Sequence, residues 1–406
     1  MRKIFSTLLL LFLLGFPVSS AAGQEGATIL GDPDLAGETE DLSYITPNFA
    51  GCTKVLVNPV NSAYEQEVVY LTNLERQKEG AAPLKRNTDL DYAARYHAKD
   101  LIDDNYFDHA TYDGWGDGMD GVTYVCSTGT RINLYYSAYR GENIAGGYGT
   151  PASVMDGWMD SDGHRNNLLN TSHREIGVGY YAGGFWRHYW VQDFGSRSDV
   201  YPLVINLEAQ ETSSYQVNLY IYGSGTFTQM RLKNDTDAWS AWLPFSSSPS
   251  WSLRPVKGTR TVTVELKKPD GSITTSSDTI YLTNGVQLGG MPSSINFIYD
   301  MAVGQFRPSQ ITLQPQNIGG TYSMSWAASA GAEGWVKLSQ TSGTTPSGTA
   351  QVSIQGIDTS VPGVYNSTVT ITVTNPSGAE GSPQIIPVRV AVTRLDNFTF
   401  LPLVRR

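Results

Sequence analysis

Three polar islands stand in order within one stretch of the chain: Phe107-Asp108-His109, Gly141-Glu142-Asn143-Ile144-Ala145, and Trp158 through Asn167, which contains Gly163-His164-Arg165. Two imidazoles and a carboxylate are the side chains from which a divalent-metal site or an acid/base pair is assembled. His109 and His164 are candidate ligands, and Glu142 is either a third ligand or a general base. His164 follows a glycine at the opening of a short helical stretch, whose dipole lowers an imidazole's basicity and favours the neutral, ligating form. His97 falls on the apolar stripe of a helix beside Ala93, Ala94 and Leu101 and is expected in the core, whereas His173 and His188 adjoin strands and are expected at the surface. Trp158 and Trp190 are expected in the core. The run Asp113-Gly-Trp-Gly-Asp117-Gly-Met-Asp120 lacks the terminal glutamate of an EF-hand, so it is expected to be a glycine-rich loop on one rim of a cleft. The chain has no Gly-x-Ser-x-Gly elbow, Walker loop or His-Glu-x-x-His helix.

The elements that must hold these islands are legible as periodicity. Tyr64, Val68, Leu71 and Leu74 recur at helical spacing after Asn61 and stop before Gly80. A second helix opens after Asn87-Thr88, and a third after Thr150-Pro151, a cap followed by proline at the first helical position. Two alternating runs, Ile176–Tyr180 and His188–Phe194, flank Gly183-Gly184 and predict a hairpin. Helices first and strands after predict one α+β domain over residues 53–197. Beyond Asp199 short alternating runs such as Val217–Ile221 and Val262–Leu266 predict a β-sandwich over 201–286. A Gly/Pro/Ser-rich linker is expected over 287–304, a second all-β unit over 305–395 and a tail over 396–406.

Composition bounds the setting. A basic start, an apolar run from Leu8 to Phe16 and small residues to Ala22 predict a signal peptide over 1–22, and hence an exported protein with no integral membrane span. A polar, mobile lead is expected over 23–52. Without Arg2 and Lys3 the 28 basic residues become 26 against 38 acidic ones, a net charge of −12. That balance argues against nucleic-acid and anionic-membrane partners. In an exported chain Cys52 and Cys126 are expected to form one disulfide, closing a loop of about 75 residues and contributing on the order of 4 kcal/mol. Two buried thiols are the alternative.

Taken together, Tyr70–Arg76, Leu90–His97, Gly141–Ala145, Trp158–Ser161, Gly163–Asn166 and Ile176–Gly179 resemble the CAP superfamily of cysteine-rich secretory proteins, antigen 5 and pathogenesis-related proteins, in its bacterial secreted branch. The resemblance implies an α-β-α sandwich with a cleft where two histidines and two acids meet, His109, Glu142 and His164 occupying three of those positions. The fourth falls on Ser161, with Asp160 and Asp162 beside it. Residues 306–393 resemble BACON-type immunoglobulin-like domains, and 213–284 an accessory immunoglobulin-like module. The fold class expected is therefore multidomain: an α-β-α sandwich followed by two all-β immunoglobulin-like sandwiches.

The function these features point to is binding of a divalent cation, zinc above all, by His109, Glu142 and His164 at the cell exterior. The rival expectations are a metal-dependent, peptidase-like hydrolase with Glu142 as base, capture of a lipid or sterol in a groove, and adhesion to a cell-envelope polysaccharide through the β domains.

Overall fold

The computed structural model describes residues 51–117 and 119–394, together with the backbone of 28–30. The expected signal peptide and C-terminal tail lie outside the described residues.

In chain order the first domain comprises β1 (Thr28–Leu30), α1 (Ser62–Lys78), β2 (Lys85–Arg86), α2 (Thr88–Asp103), β3 (Thr111–Asp117), β4 (Asp120–Cys126), α3 (Thr128–Asn133), β5 (Tyr139–Gly146), α4 (Pro151–Asp160), α5 (Asp162–Leu168), β6 (Glu175–Ala182) and β7 (His188–Gly195). The Thr150 cap forms as expected, Asn87 and not Thr88 caps the second helix, and Asn61 caps the first. Asn61 accepts from the Tyr64 amide at 3.1 Å, Asn87 from those of Asp89 and Leu90, and Thr150 closes a reciprocal capping box with Ser153 ahead of Pro151. Each satisfies amides that a helix start otherwise leaves unpaired.

The five-stranded sheet runs β1-β5-β7-β6-β2, with β6 and β7 as the antiparallel hairpin. Its two faces are covered differently because strand residues alternate sides. Ile176, Val178, Tyr180, Trp190 and Phe194 pack with Val68 and Val69 of α1 and Met155 and Trp158 of α4. The opposite face meets α2 through Ile144, Tyr189 and Val191 against Ala94, Ala98 and Leu101. There a glycine is needed twice: a Cβ on Gly177 would stand 2.1 Å from the Leu90 carbonyl carbon, and one on Gly179 would stand 2.3 Å from that of Ala94. Bare backbone lets α2 lie directly on β6.

Three expectations are corrected. The Asp113–Asp120 run is not a simple loop: Asp113–Asp117 lies in β3 and Asp120 opens its antiparallel partner β4, and the Asp113 carboxylate accepts from the Gly51 amide at 2.8 and 3.0 Å. Alternating Gly and Asp hid its strand character. The lead is not wholly without structure, since Thr28–Leu30 pairs in parallel with Ile144–Gly146 at the sheet edge. The segment 287–304 is not a linker: Leu288 and Gly289 pair with Asn317 and Gln316, and Ile295–Asp300 runs parallel to Gln384–Thr393 inside a six-stranded sheet.

The two remaining units are all-β, each pairing a larger sheet with a three-stranded one. Val217, Leu219, Leu232, Val262 and Val264 fill the first core, and Phe297, Trp326, Ile371, Val388 and Val390 are in the second. The first sandwich is fastened to the α/β domain. Lys85 reaches Glu208 at 2.8 Å and also pairs with Asp278, Asn73 donates to the Leu207 carbonyl at 3.1 Å, and the Tyr222 hydroxyl donates to that of Pro83 at 3.0 Å. The connector presents these groups through three successive left-handed residues, Asn206, Leu207 and Glu208. Such backbone is unfavourable outside glycine and persists where surrounding contacts over-determine it.

Candidate functional site

Glu142 lies in the middle of β5, paired in register with Asp193 of β7. Both are fully buried and face α2 and α3, while the next pair, Asn143 with Gln192, faces α1 and α4. Glu142 is the hub of the first face. Its Oε1 accepts from His109 Nδ1 at 2.8 Å, and its Oε2 pairs with the guanidinium of Arg131 on α3. Arg131 also donates to the His109 carbonyl at 2.8 Å, as does the Thr128 hydroxyl, so α3 fixes both the backbone and the partner of His109. His97 donates its Nε2 proton to the Asp108 carbonyl at 2.9 Å and stands 4.0 Å from Glu142 Oε1.

The charge states follow from this geometry. Burial alone would raise Glu142, but the adjoining Arg131 guanidinium, helped by the hydrogen bond from His109, overrides it and holds the carboxyl well below the usual carboxylate range. Burial and then the neighbouring Glu142 push Asp193 far above that range, so one carboxylate and one carboxylic acid share the pocket. His97 is held well below its ordinary value by burial and by Arg131, and is neutral. With Glu142 accepting from Nδ1–H of His109, the ring's other nitrogen is Nε2, and among the described residues that buried atom has no hydrogen-bond partner. A carboxylate behind one ring nitrogen is the arrangement that orients an imidazole for ligation through the other.

His164 is fully buried on α5, which packs beside β5. Its carbonyl accepts from Asn143 Nδ2 at 3.3 Å, and its Nδ1 meets the Ser161 hydroxyl at 2.7 Å. Ser161 is therefore the residue of its segment that engages an imidazole; Asp160 and Asp162 are exposed, and Asp162 pairs with Arg165. Glu142 and His109 are in direct contact, whereas His164 has its own partners. Among the described residues no three His, Cys, Asp or Glu side chains are grouped so as to hold a metal ion by themselves.

His97, Trp158 and Trp190 occupy the core as expected. His173 does not lie at the surface: it is buried, stacked on Phe194 with ring centres 5.0 Å apart and bonded to Asn167 Oδ1 at 3.1 Å. Its strand-adjacent position concealed the packing of the α5–β6 connection. His188 is partly exposed and bonded to the Tyr180 hydroxyl. Sequence reasoning missed Arg131 and Asp193. Arg131 sits in a six-residue helix with no motif. Asp193 was discoverable, since a carboxylate between Gln192 and Phe194 in a strand covered on both faces must be buried.

A third buried carboxyl adjoins this network. Asp100, one turn from His97 and contacted by the Tyr106 hydroxyl, is pushed up to about 7, by burial first and by Asp104 among its neighbours. A folded value above the unfolded one means stability that is complete below about pH 4 and lost as pH rises through 7. The α/β domain is therefore expected to melt lower at pH 8 than at pH 5. The contribution of Asp100 is at most about 4 kcal/mol, and an Asp100→Asn variant should show a flatter profile in calorimetry. An unchanged profile would refute the assignment.

Comparison with known proteins places this geometry. The profile of the cysteine-rich secretory protein family (CAP) matches residues 69–194. The uncharacterized protein YkwD of Bacillus subtilis (strain 168) is 43% identical over 137 residues, 33% of this chain and 47% of the relative. The uncharacterized membrane protein YlbC of the same organism is 30% identical over 140 residues, 34% of this chain and 36% of the relative. The match thus spans less than half of either relative. An extracellular protein containing an SCP domain from Bacillus anthracis, solved at 1.5 Å, is 28% identical over 34% of this chain and 42% of its own, with a TM-score of 0.28. The matched segment contains α2, the sheet from β5 to β7 and every residue of the Glu142 network. Residues 69–194 are a CAP domain of the cysteine-rich secretory protein family.

Proposed function

We propose that this is an exported protein whose CAP domain binds a divalent cation, zinc in the first instance, through the Nε2 atoms of His109 and His164. The observation that carries the reading is the Glu142–His109 contact at 2.8 Å, which leaves a buried Nε2 without an internal partner. His164 is held at Nδ1 by the Ser161 hydroxyl, which fixes the orientation of its ring. Both oxygens of Glu142 are occupied, by His109 and Arg131, so Glu142 acts as a positioning residue and not as a ligand or a general base. The remaining coordination would come from water, and a bound zinc would supply Lewis acidity at the cleft. Export is supported by the leader-like N-terminus and by the Cys52–Cys126 disulfide, a bond of oxidising compartments. Among the described residues no helix is long and apolar enough to cross a membrane.

Calorimetric titration of the full chain with zinc tests the reading. One equivalent should bind, the His109→Ala/His164→Ala variant should bind none, and Glu142→Gln should bind about 10- to 100-fold more weakly while leaving the stoichiometry intact. No heat from the unmutated protein, or equal affinity in the double variant, would sink it.

A further inference from the structure

The outer face of the five-stranded sheet in the first sandwich carries a ladder of cations and indoles. The Arg231 guanidinium lies 5.0 Å from the centre of the Trp239 ring and 4.7 Å from that of Trp242. Lys233 Nζ stands 4.9 Å over Trp239, and Lys267 Nζ 5.1 Å over Trp242. Each indole thus serves two cations, in the order Lys233, Trp239, Arg231, Trp242, Lys267. Attraction to the ring quadrupole holds long side chains extended, so they lose less rotamer freedom when a ligand arrives.

Register makes the row regular. Arg231 and Lys233 are alternate residues of one strand, roughly 7 Å apart, and Lys267 stands opposite Gln229, the next position in the row. Glu265 pairs with Arg231 at 2.6 Å, but among the described residues neither lysine has a carboxylate within ion-pair reach. This is a strip of positive charge on a chain of net charge −10. Next to it, Thr263 pairs with Ser277, and Thr275 with Glu265, their side chains leaving the same outer face.

We propose that this face binds an acidic polysaccharide, a linear run of sugars bearing carboxylates. The cations would pair with the carboxylates, and the hydroxyls of Thr263, Thr275 and Ser277 with those of the sugars. A phosphodiester chain with bases suits the face less well, because base stacking needs open aromatic faces and these indoles already lie against cations. The proposal is independent of the metal reading, which concerns another domain.

The test uses the full chain and columns of immobilised polygalacturonate, neutral β-glucan and single-stranded DNA. The protein should be retained on polygalacturonate at low salt, elute as salt rises, and pass through the glucan and DNA columns. A Lys233→Gln/Lys267→Gln variant should melt unchanged and lose about tenfold in affinity. Trp239→Leu removes no charge, and should still weaken binding several-fold because Lys233 and Arg231 are no longer held. Passage of the unmutated protein through polygalacturonate, equal retention of the lysine variant, or tighter retention on DNA would overturn the proposal.

Discussion

Replacing Glu142 with alanine is expected to destabilise the CAP domain by about 3 kcal/mol or more, because it leaves Arg131 buried without its carboxylate. The residual partners of Arg131 are the His109 carbonyl at 2.8 Å and the Thr111 hydroxyl at 3.2 Å, neither of them charged. Asp193 offers a partial reserve. Its carboxyl stays protonated through burial first and the ionised Glu142 second, so removing Glu142 takes away one of the two causes and leaves Arg131 to draw it toward ionisation. The variant Glu142→Ala/Asp193→Asn should therefore be less stable than Glu142→Ala, and Glu142→Leu/Arg131→Leu should recover part of the loss. Calorimetry of the full chain, following the transition that moves, separates these outcomes. A loss under about 1 kcal/mol in the single variant would show that the pair does not hold the site together. The pH dependence has a defined sign. Because the folded value of Glu142 lies below the unfolded one, its contribution is present above about pH 4.5 and fades as the solution is acidified below that.

The second large effect is expected from the disulfide. Cys52 and Cys126 are bonded across 74 residues, with Cα atoms 6.1 Å apart. Converting both to serine should lower stability by roughly 2–5 kcal/mol, with about 4 kcal/mol from chain entropy. The bond anchors the segment after Gly51 to the end of β4. Around it the Tyr96 hydroxyl donates to the Gly51 carbonyl at 2.9 Å, and the Tyr135 hydroxyl exchanges hydrogen bonds with Val55 at 2.8 and 2.9 Å. Denaturant titration of the oxidised protein and of the double-serine variant measures the difference. Indistinguishable midpoints would mean that these hydroxyls and the Asp113–Gly51 contact suffice without the bridge.

Much of this protein is determined locally and was legible for that reason. Helix starts at Asn61, Asn87 and Thr150 depend on capping chemistry within three residues, and the β6–β7 hairpin on alternation around Gly183-Gly184. The burial of His97 followed from a single helix stripe. His109, Glu142 and His164 could be nominated from motif and residue type alone, and two of them, His109 and Glu142, do meet.

What the tertiary structure decided is everything that depends on which face a strand turns and which distant segment fills the space beside it. Glu142 and Asn143 are neighbours in the chain yet serve opposite sides of the sheet, which ties His109 to one and the His164 backbone to the other. Arg131 is the counter-charge of the site because α3 packs over β5, not because of any pattern around it. Asp193 stays protonated because register sets it opposite Glu142 in a pocket without water's dielectric. The strand at Ile295–Asp300 forms despite a glycine- and proline-rich approach because a parallel partner some 90 residues later supplies its hydrogen bonds. Short-range rules are written in adjacent residues; charge states and ligand geometry arise only when burial and cross-strand pairing bring separate segments together.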